Sequence, residues 1–169
     1  MKRPGLAVFA LTLALAARAG TEPLFAGAGY FSVAGELTLP QGGSSMRRLG
    51  GAEARFGRYF DEAEKLAVEG EFGVAEDKGA LAVRGVAHFA LWDWFNRMFG
   101  YERMDPFASF GARGWIGSRG QVGPAFGLGA FYYLSDDWAL RFGYEFTLGL
   151  DTEVEGYHSV SVGLQYSFR

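Results

Sequence analysis

The sequence predicts an all-β fold in which eight antiparallel strands run up and down and close into a barrel. Apolar and polar residues alternate with a period of two along most of the 169 residues, as they do in strands with one apolar face. Clusters of turn residues separate these segments at short intervals. The chain also has 26 glycines, 5 prolines and 17% aromatic residues, a composition that favours β structure.

Charge and cysteine content exclude several classes of protein. The formal net charge is −3 and the pI is about 5.4, which argues against general nucleic-acid binding. The chain has no cysteine, so it has neither a disulfide framework nor a thiolate zinc site. Only two histidines are present, and we expect no metal site and no cofactor.

The N-terminal segment has the pattern of a secretory signal peptide. Lys2 and Arg3 are followed by an apolar run at 6–17, and an Ala-Arg-Ala sequence then supplies the small residues of a cleavage site. The run is too short to span a bilayer as a helix, which needs about 20 residues. We therefore predict a signal peptide at 1–19 and a barrel domain at 20–169.

The alternation is clearest in the last two segments, residues 138–148 and 158–168. In each, aromatic and large aliphatic side chains occupy one face, while small, polar or charged residues occupy the other. Similar or weaker patterns mark six earlier segments: 25–38, 51–60, 66–74, 81–91, 107–116 and 121–134. In the fifth of these, Phe107 and Trp115 fall on the otherwise polar face, which a bulge or a position at the rim would explain. Eight antiparallel strands can close without leaving an unpaired edge.

The apolar face of such a barrel can point either way. In a soluble barrel of the lipocalin type it lines a ligand cavity, whereas in a transmembrane barrel it faces lipid. The polar face here mixes charges of both signs with many glycines, which suits a narrow lumen. Phe60, Trp138, Tyr166 and Phe168 lie near strand ends, as in an interfacial girdle. We therefore predict a transmembrane barrel with its apolar face outward.

The C-terminal part of the chain resembles a known family. Residues 127–146 (GLGAFYYLSDDWALRFGYEF) resemble a hairpin of the small OmpA-like and OmpX-like outer-membrane barrels. Residues 160–168 resemble their C-terminal strand, whose final aromatic residue is read by the barrel-assembly machinery; here Arg169 follows Phe168. The resemblance implies a porin-like domain in a Gram-negative outer membrane, with both termini in the periplasm. It implies no single activity, because the family is functionally mixed.

The outward apolar face places a set of charged side chains in the lumen. These are Glu69, Glu71, Arg84, His88, Arg113, Arg141 and Glu145. Because an unpaired buried charge is costly, we expect the two signs to pair. One interpretation is a structural polar core that fills the barrel and supports envelope integrity. The other is a narrow ion or small-solute pore in which salt bridges exchange partners.

An enzyme is the rival class, because some small outer-membrane barrels modify lipid A. His158 with Ser159 and Ser161 superficially suggests such a site. A nucleophile needs its base within hydrogen-bond reach, however, and the alternation puts both serines on the face opposite His158. We therefore predict no enzymatic activity and no catalytic residue.

The connections hold two further candidates. With the N-terminus in the periplasm, the connection at 40–50 lies outside the cell, where Arg47 and Arg48 could contact lipopolysaccharide phosphates or simply belong to a solvated loop. The long connection at 93–105 is either a short interfacial amphipathic helix or, as we prefer, an extension of the two flanking strands. The expected partners are outer-membrane lipid, lipopolysaccharide and the assembly machinery, and we expect a monomer.

Overall fold

The fold was obtained as a computed structural model and is a closed barrel of eight antiparallel strands. Each strand pairs with its neighbours in sequence, and the last pairs with the first. The structure describes residues 27–41, 49–60, 64–75, 78–89, 97–98, 100, 103–116, 121–151 and 154–168. The strands are β1 (Gly29–Gln41), β2 (Leu49–Tyr59), β3 (Leu66–Ala75), β4 (Lys78–His88), β5 (Met104–Ile116), β6 (Gln121–Tyr133), β7 (Trp138–Asp151) and β8 (Val154–Phe168). The predicted fold class is confirmed.

Pairing between β1 and β8 closes the barrel. The ladder runs from Gly29 opposite Phe168 to Gln41 opposite Gly156. We call the rim at Gly29 and Phe168 the terminal rim, and the rim at Gln41 and Gly156 the far rim. Because every described strand has a hydrogen-bonded neighbour on each side, the backbone groups of the sheet satisfy one another.

Side chains alternate between the lumen and the outer surface, and the apolar set is outside. Phe110 and Leu128 are 62% and 63% exposed, whereas Arg113 and Arg141 are 1% and 2% exposed. A soluble barrel with an apolar interior would show the reverse. The predicted outward direction of the apolar face is confirmed.

Strand β5 carries two aromatic side chains into the lumen. Phe107 and Trp115 are both buried, and the pairing of β5 with β4 and β6 proceeds without a register shift. The bulge considered from the sequence is therefore wrong here. Phe107 pairs with the last residue of β4, and Trp115 pairs with the first residue of β6. Both positions lie inside the barrel near its ends, as the rim explanation requires.

The strands extend beyond the segments that alternation marks. β1 continues to Gln41, and the β7–β8 hairpin is tighter than the predicted connection at 149–157, because β7 reaches Asp151 and β8 begins at Val154. Backbone pairing needs no apolar side chain, so it continues past the zone where the outer face must be hydrophobic. A register shift between Leu148 and Asp151 lies in this extension.

Parts of the other predictions fall outside the described residues. The predicted signal peptide at 1–19 and most of the connection at 93–105 are among them. Within that connection Arg97 and Met98 have helical backbone and are exposed, and β5 begins at Met104. The choice between an interfacial helix and extended strands stays a prediction. None of the described residues form a helix long and apolar enough to cross a bilayer.

Candidate functional site: the polar lumen

The structure places all the predicted lumen side chains inside the barrel. Each is at most 7% exposed: Glu69, Glu71, Arg84, His88, Arg113, Arg141 and Glu145. They come from strands β3, β4, β5 and β7, and each occupies an inward position of the period-two alternation. All except His88 belong to one charged layer in the middle of the lumen.

Glu69 lies on the side of this layer that faces the terminal rim. Its carboxylate accepts hydrogen bonds from Arg84 Nη1 at 3.0 Å and from the Tyr30 hydroxyl at 3.0 Å. Arg141 donates two more, one of them from Nη2 at 3.1 Å. These contacts join β3 to β1, β4 and β7, so one buried carboxylate ties together four strands.

Glu71 is the central carboxylate of the layer. It accepts hydrogen bonds from Arg84 Nη1 at 2.7 Å and from Arg55 Nε at 3.0 Å. Arg113 Nη2 lies 3.3 Å from its other oxygen. Charge-assisted hydrogen bonds of this kind are roughly twice as strong as neutral ones.

Arg113 extends the network toward the far rim. It donates to Glu36 at 2.6 Å, to Glu145 at 3.2 Å and to the Ser159 hydroxyl at 3.0 Å. Glu145 also lies 2.7 Å from Arg84 Nη2. The Thr38 hydroxyl shares a hydrogen bond with Ser159 at 3.0 Å, which connects the charged layer to the β1–β8 seam.

Several members of the network were missed from the sequence. Glu36, Glu53 and Arg55 are buried in the lumen. Their alternation was visible in the segments 25–38 and 51–60, but these segments were weak and their charged residues were not singled out. The missed residues change the composition of the layer, because two of the three are carboxylates.

A second polar group lies in the lumen near the terminal rim. His88 Nδ1 is 2.6 Å from Asp105, which also accepts a hydrogen bond from the Tyr133 hydroxyl at 3.1 Å. The Tyr59 hydroxyl is 3.3 Å from His88 Nε2. Asp105 was missed because it lies outside the segment 107–116 that alternation marked. This arrangement satisfies a histidine that is fully enclosed.

Aromatic side chains lie in the lumen on both sides of the charged layer. At the terminal rim Phe131 stacks on His88 with ring centroids 5.1 Å apart and on Phe107 at 4.8 Å. At the far rim Trp115 packs against Tyr157 at 6.0 Å. The lumen therefore has apolar caps above and below its polar middle.

A small cavity lies between the described side chains of the charged layer. A cavity of about 10 Å³ lies beside Arg84, Arg141 and Glu145, against glycines of β6 and β7. This volume is about enough for one water molecule. Within the described residues no group of three or more histidine, aspartate or glutamate side chains could hold a metal ion.

The His158 constellation does not form a catalytic group. Ser159 and Ser161 are buried in the lumen, whereas His158 lies on the outer surface. Its Nδ1 is 2.6 Å from the Tyr144 hydroxyl, and its ring packs against Phe146 at 5.0 Å. The sheet separates the histidine from both hydroxyls, as the alternation predicted. Arg47 and Arg48 lie outside the described residues.

The outer surface carries an aromatic group at the terminal rim. Trp138 packs against Tyr166 with ring centroids 4.9 Å apart, and Tyr166 packs against Phe168 at 6.4 Å. Each of these three side chains is between 39% and 48% exposed. Aromatic side chains that are exposed in this way at one height are typical of a membrane interface.

Comparisons with known proteins find similar folds among the solved structures. No family model and no curated protein matches the sequence. A de novo designed transmembrane β-barrel superposes with a TM-score of 0.61 at 15% identity, over 84% of this chain and 96% of that one. The N-terminal β-barrel domain of Pseudomonas aeruginosa OprF gives a TM-score of 0.59 at 14% identity, over 82% and 97%. Neisserial surface protein A gives 0.57 at 10% identity, over 83% and 96%.

These identities are low, so the likeness is one of fold. The matches cover nearly the whole length of the other chains, which means that the complete barrel is shared and not one hairpin of it. These matches agree with the polar lumen and the apolar outer surface. The chain has the fold of the small eight-stranded outer-membrane β-barrels.

Proposed function

We propose that this protein is a non-enzymatic integral outer-membrane barrel that contributes to envelope integrity and whose lumen is closed to solutes. The observation that carries the proposal is the filled lumen: charged side chains pair across the barrel, and aromatic side chains pack inside it toward both ends. A cavity of about 10 Å³ is far too small for a solute. Paired polar side chains inside the barrel hold its strands in fixed positions, which favours a structural role.

Conductance in planar bilayers tests the closed lumen. The purified protein should show no steady channels. Steady channels whose conductance changes in the Arg84→Ala variant would contradict the proposal, because the current would then pass the charged layer.

For the envelope role, a strain that lacks the protein should become more sensitive to detergent. Complementation with the wild-type chain should restore resistance.

A narrow ion pathway is the second candidate. Arg84 lies within 3.0 Å of oxygens of three carboxylates, those of Glu69, Glu71 and Glu145. A side chain with several partners at similar distances can exchange them through a small rotation, which would open a transient path. Brief openings in the wild type that become rarer or longer in Arg84→Lys would favour this candidate.

Location and partners complete the proposal. The barrel sits in a Gram-negative outer membrane with both termini in the periplasm, after removal of residues 1–19 as a signal peptide. The aromatic group at the terminal rim supports a position of both ends of the barrel at the same membrane interface. Arg47 and Arg48 contact lipopolysaccharide phosphates, the assembly machinery inserts the chain, and the protein is a monomer. An epitope tag placed after Arg169 should be accessible only in permeabilised cells.

A further inference from the structure

The charged layer of the lumen holds more acids than bases. Among the buried side chains that the structure describes, five glutamates face four arginines: Glu36, Glu53, Glu69, Glu71 and Glu145 against Arg55, Arg84, Arg113 and Arg141. The remaining buried acid, Asp105, has its own partner in His88 at 2.6 Å. One carboxylate of the layer therefore has no arginine of its own.

The contacts identify Glu53 as that carboxylate. It is 4% exposed, and Arg55 is the one arginine among the described residues that forms an ion pair with it. Its ion pair is with Arg55 Nη2 at 2.5 Å. Arg55 also donates to Glu71 at 3.0 Å and to Ser161 at 3.3 Å, so its charge is shared. Each of the other four glutamates of the layer accepts at least one hydrogen bond from an arginine.

The charges around Glu53 compensate its own charge only in part. The charged groups that act on it are Arg55 from its own strand, Glu36 from β1, Glu71 from β3 and Arg113 from β5. Two of these four groups carry the same sign as Glu53. A buried carboxylate that shares its arginine and has like-charged neighbours is costly in its ionised form. Such a group becomes neutral by taking up a proton.

We propose that Glu53 is the site at which the folded barrel takes up one compensating proton. Two observations favour a proton over a metal cation as the occupant. The described residues contain no group of three or more acidic or histidine side chains that could hold a metal ion. The cavity beside the charged layer has a volume of about 10 Å³ and is not lined by Glu53. The charged layer of the barrel is then neutral when Glu53 is protonated, and raising the pH lowers the stability of the folded state.

Glu53→Gln is the matched substitution, because an amide has the size of the protonated acid and cannot ionise. At about pH 3, where Glu53 is protonated in both the folded and the unfolded chain, the variant should be as stable as the wild type. Above about pH 4.3, the ordinary pKa of a glutamate, the ratio of the folding constants, variant over wild type, should rise by up to tenfold per pH unit, because the unfolded wild type has lost a proton that the folded wild type keeps. The ratio should level off once the folded wild type loses that proton as well. Titratable groups shared by both proteins, such as His88, cancel in this ratio. Urea titrations in detergent micelles measure it.

Two further measurements keep the test decisive if stability is hard to measure. Infrared difference spectra of the wild type at pH 7 should contain a protonated carboxylic acid band that is absent from Glu53→Gln. The control Glu145→Gln removes a carboxylate that arginines do hold, so it should be less stable than the wild type at pH 6. A flat ratio with no carboxylic acid band would overturn the proposal. So would a ratio that changes between sodium and potassium buffers at fixed pH, because an alkali cation would then be the occupant.

Discussion

Replacing Glu69 with glutamine tests whether buried ion pairs hold the lumen together. Glutamine keeps the volume of the side chain but removes the charge that Arg84, Arg141 and Tyr30 contact. Arg84 keeps two other carboxylates within 2.7 Å, whereas Arg141 loses the carboxylate of its ion pair. Because Arg141 is 2% exposed, bulk water cannot replace that partner. Breaking a buried pair from one side costs about 3–5 kcal/mol, and we expect a loss of that size in the free energy of unfolding.

The assay is urea unfolding of the refolded barrel in detergent, followed by tryptophan fluorescence and by the mobility of boiled and unboiled samples. The double variant Glu69→Gln with Arg141→Met removes both charges and should recover most of the lost stability. The reasoning is refuted if the single variant loses less than about 1 kcal/mol, the range of a solvent-exposed pair. It is also refuted if the double variant is as unstable as the single one.

Three more predictions follow from the two faces of the sheet. Leu128→Arg, at the middle of β6 on the outer surface, should cost about 2–4 kcal/mol in urea titrations in lipid vesicles, whereas Tyr132→Arg near the terminal rim should cost about 0–1 kcal/mol; equal costs would contradict the proposed depth. A Cβ at Gly57 would clash with the Tyr30 ring in the lumen, so Gly57→Ala should lose about 1–3 kcal/mol, while Gly70→Ala meets open space and should be neutral in the same assay. Lipid A from cells that overproduce the protein should have an unchanged mass spectrum, and any gain or loss of an acyl chain would show that the protein is an enzyme.

The sequence predicted the fold because lipid imposes a simple rule on the outer face. Large apolar side chains recur at every second position in β6, β7 and β8, and these segments were found with little ambiguity. β1 and β2 gave a weaker signal because their outer faces include small residues such as Gly35, Ala52 and Ala54. The alternation of apolar and polar residues is weaker where the outward side chains are small, although the backbone pairing is the same there.

The partners within the lumen could not be predicted in the same way. Arg113 and Glu36 are 77 residues apart in sequence and meet only because the barrel closes. Which inward residues share a layer depends on the stagger between neighbouring strands, and alternation carries no information about stagger. The burial of each charge could be predicted from one strand, whereas its partner depends on several strands together.

The seam between β1 and β8 determines when this protein can become stable. The strands that close the ring come from opposite ends of the domain, so Gly29 cannot find Phe168 until translation has supplied all the strands between them. A nascent chain that lacks β8 has two open edges, on β1 and β7, and each could pair with a strand of another molecule. Contacts this distant in sequence also form slowly. The topology therefore leaves the chain with unpaired edges until its last strand is in place.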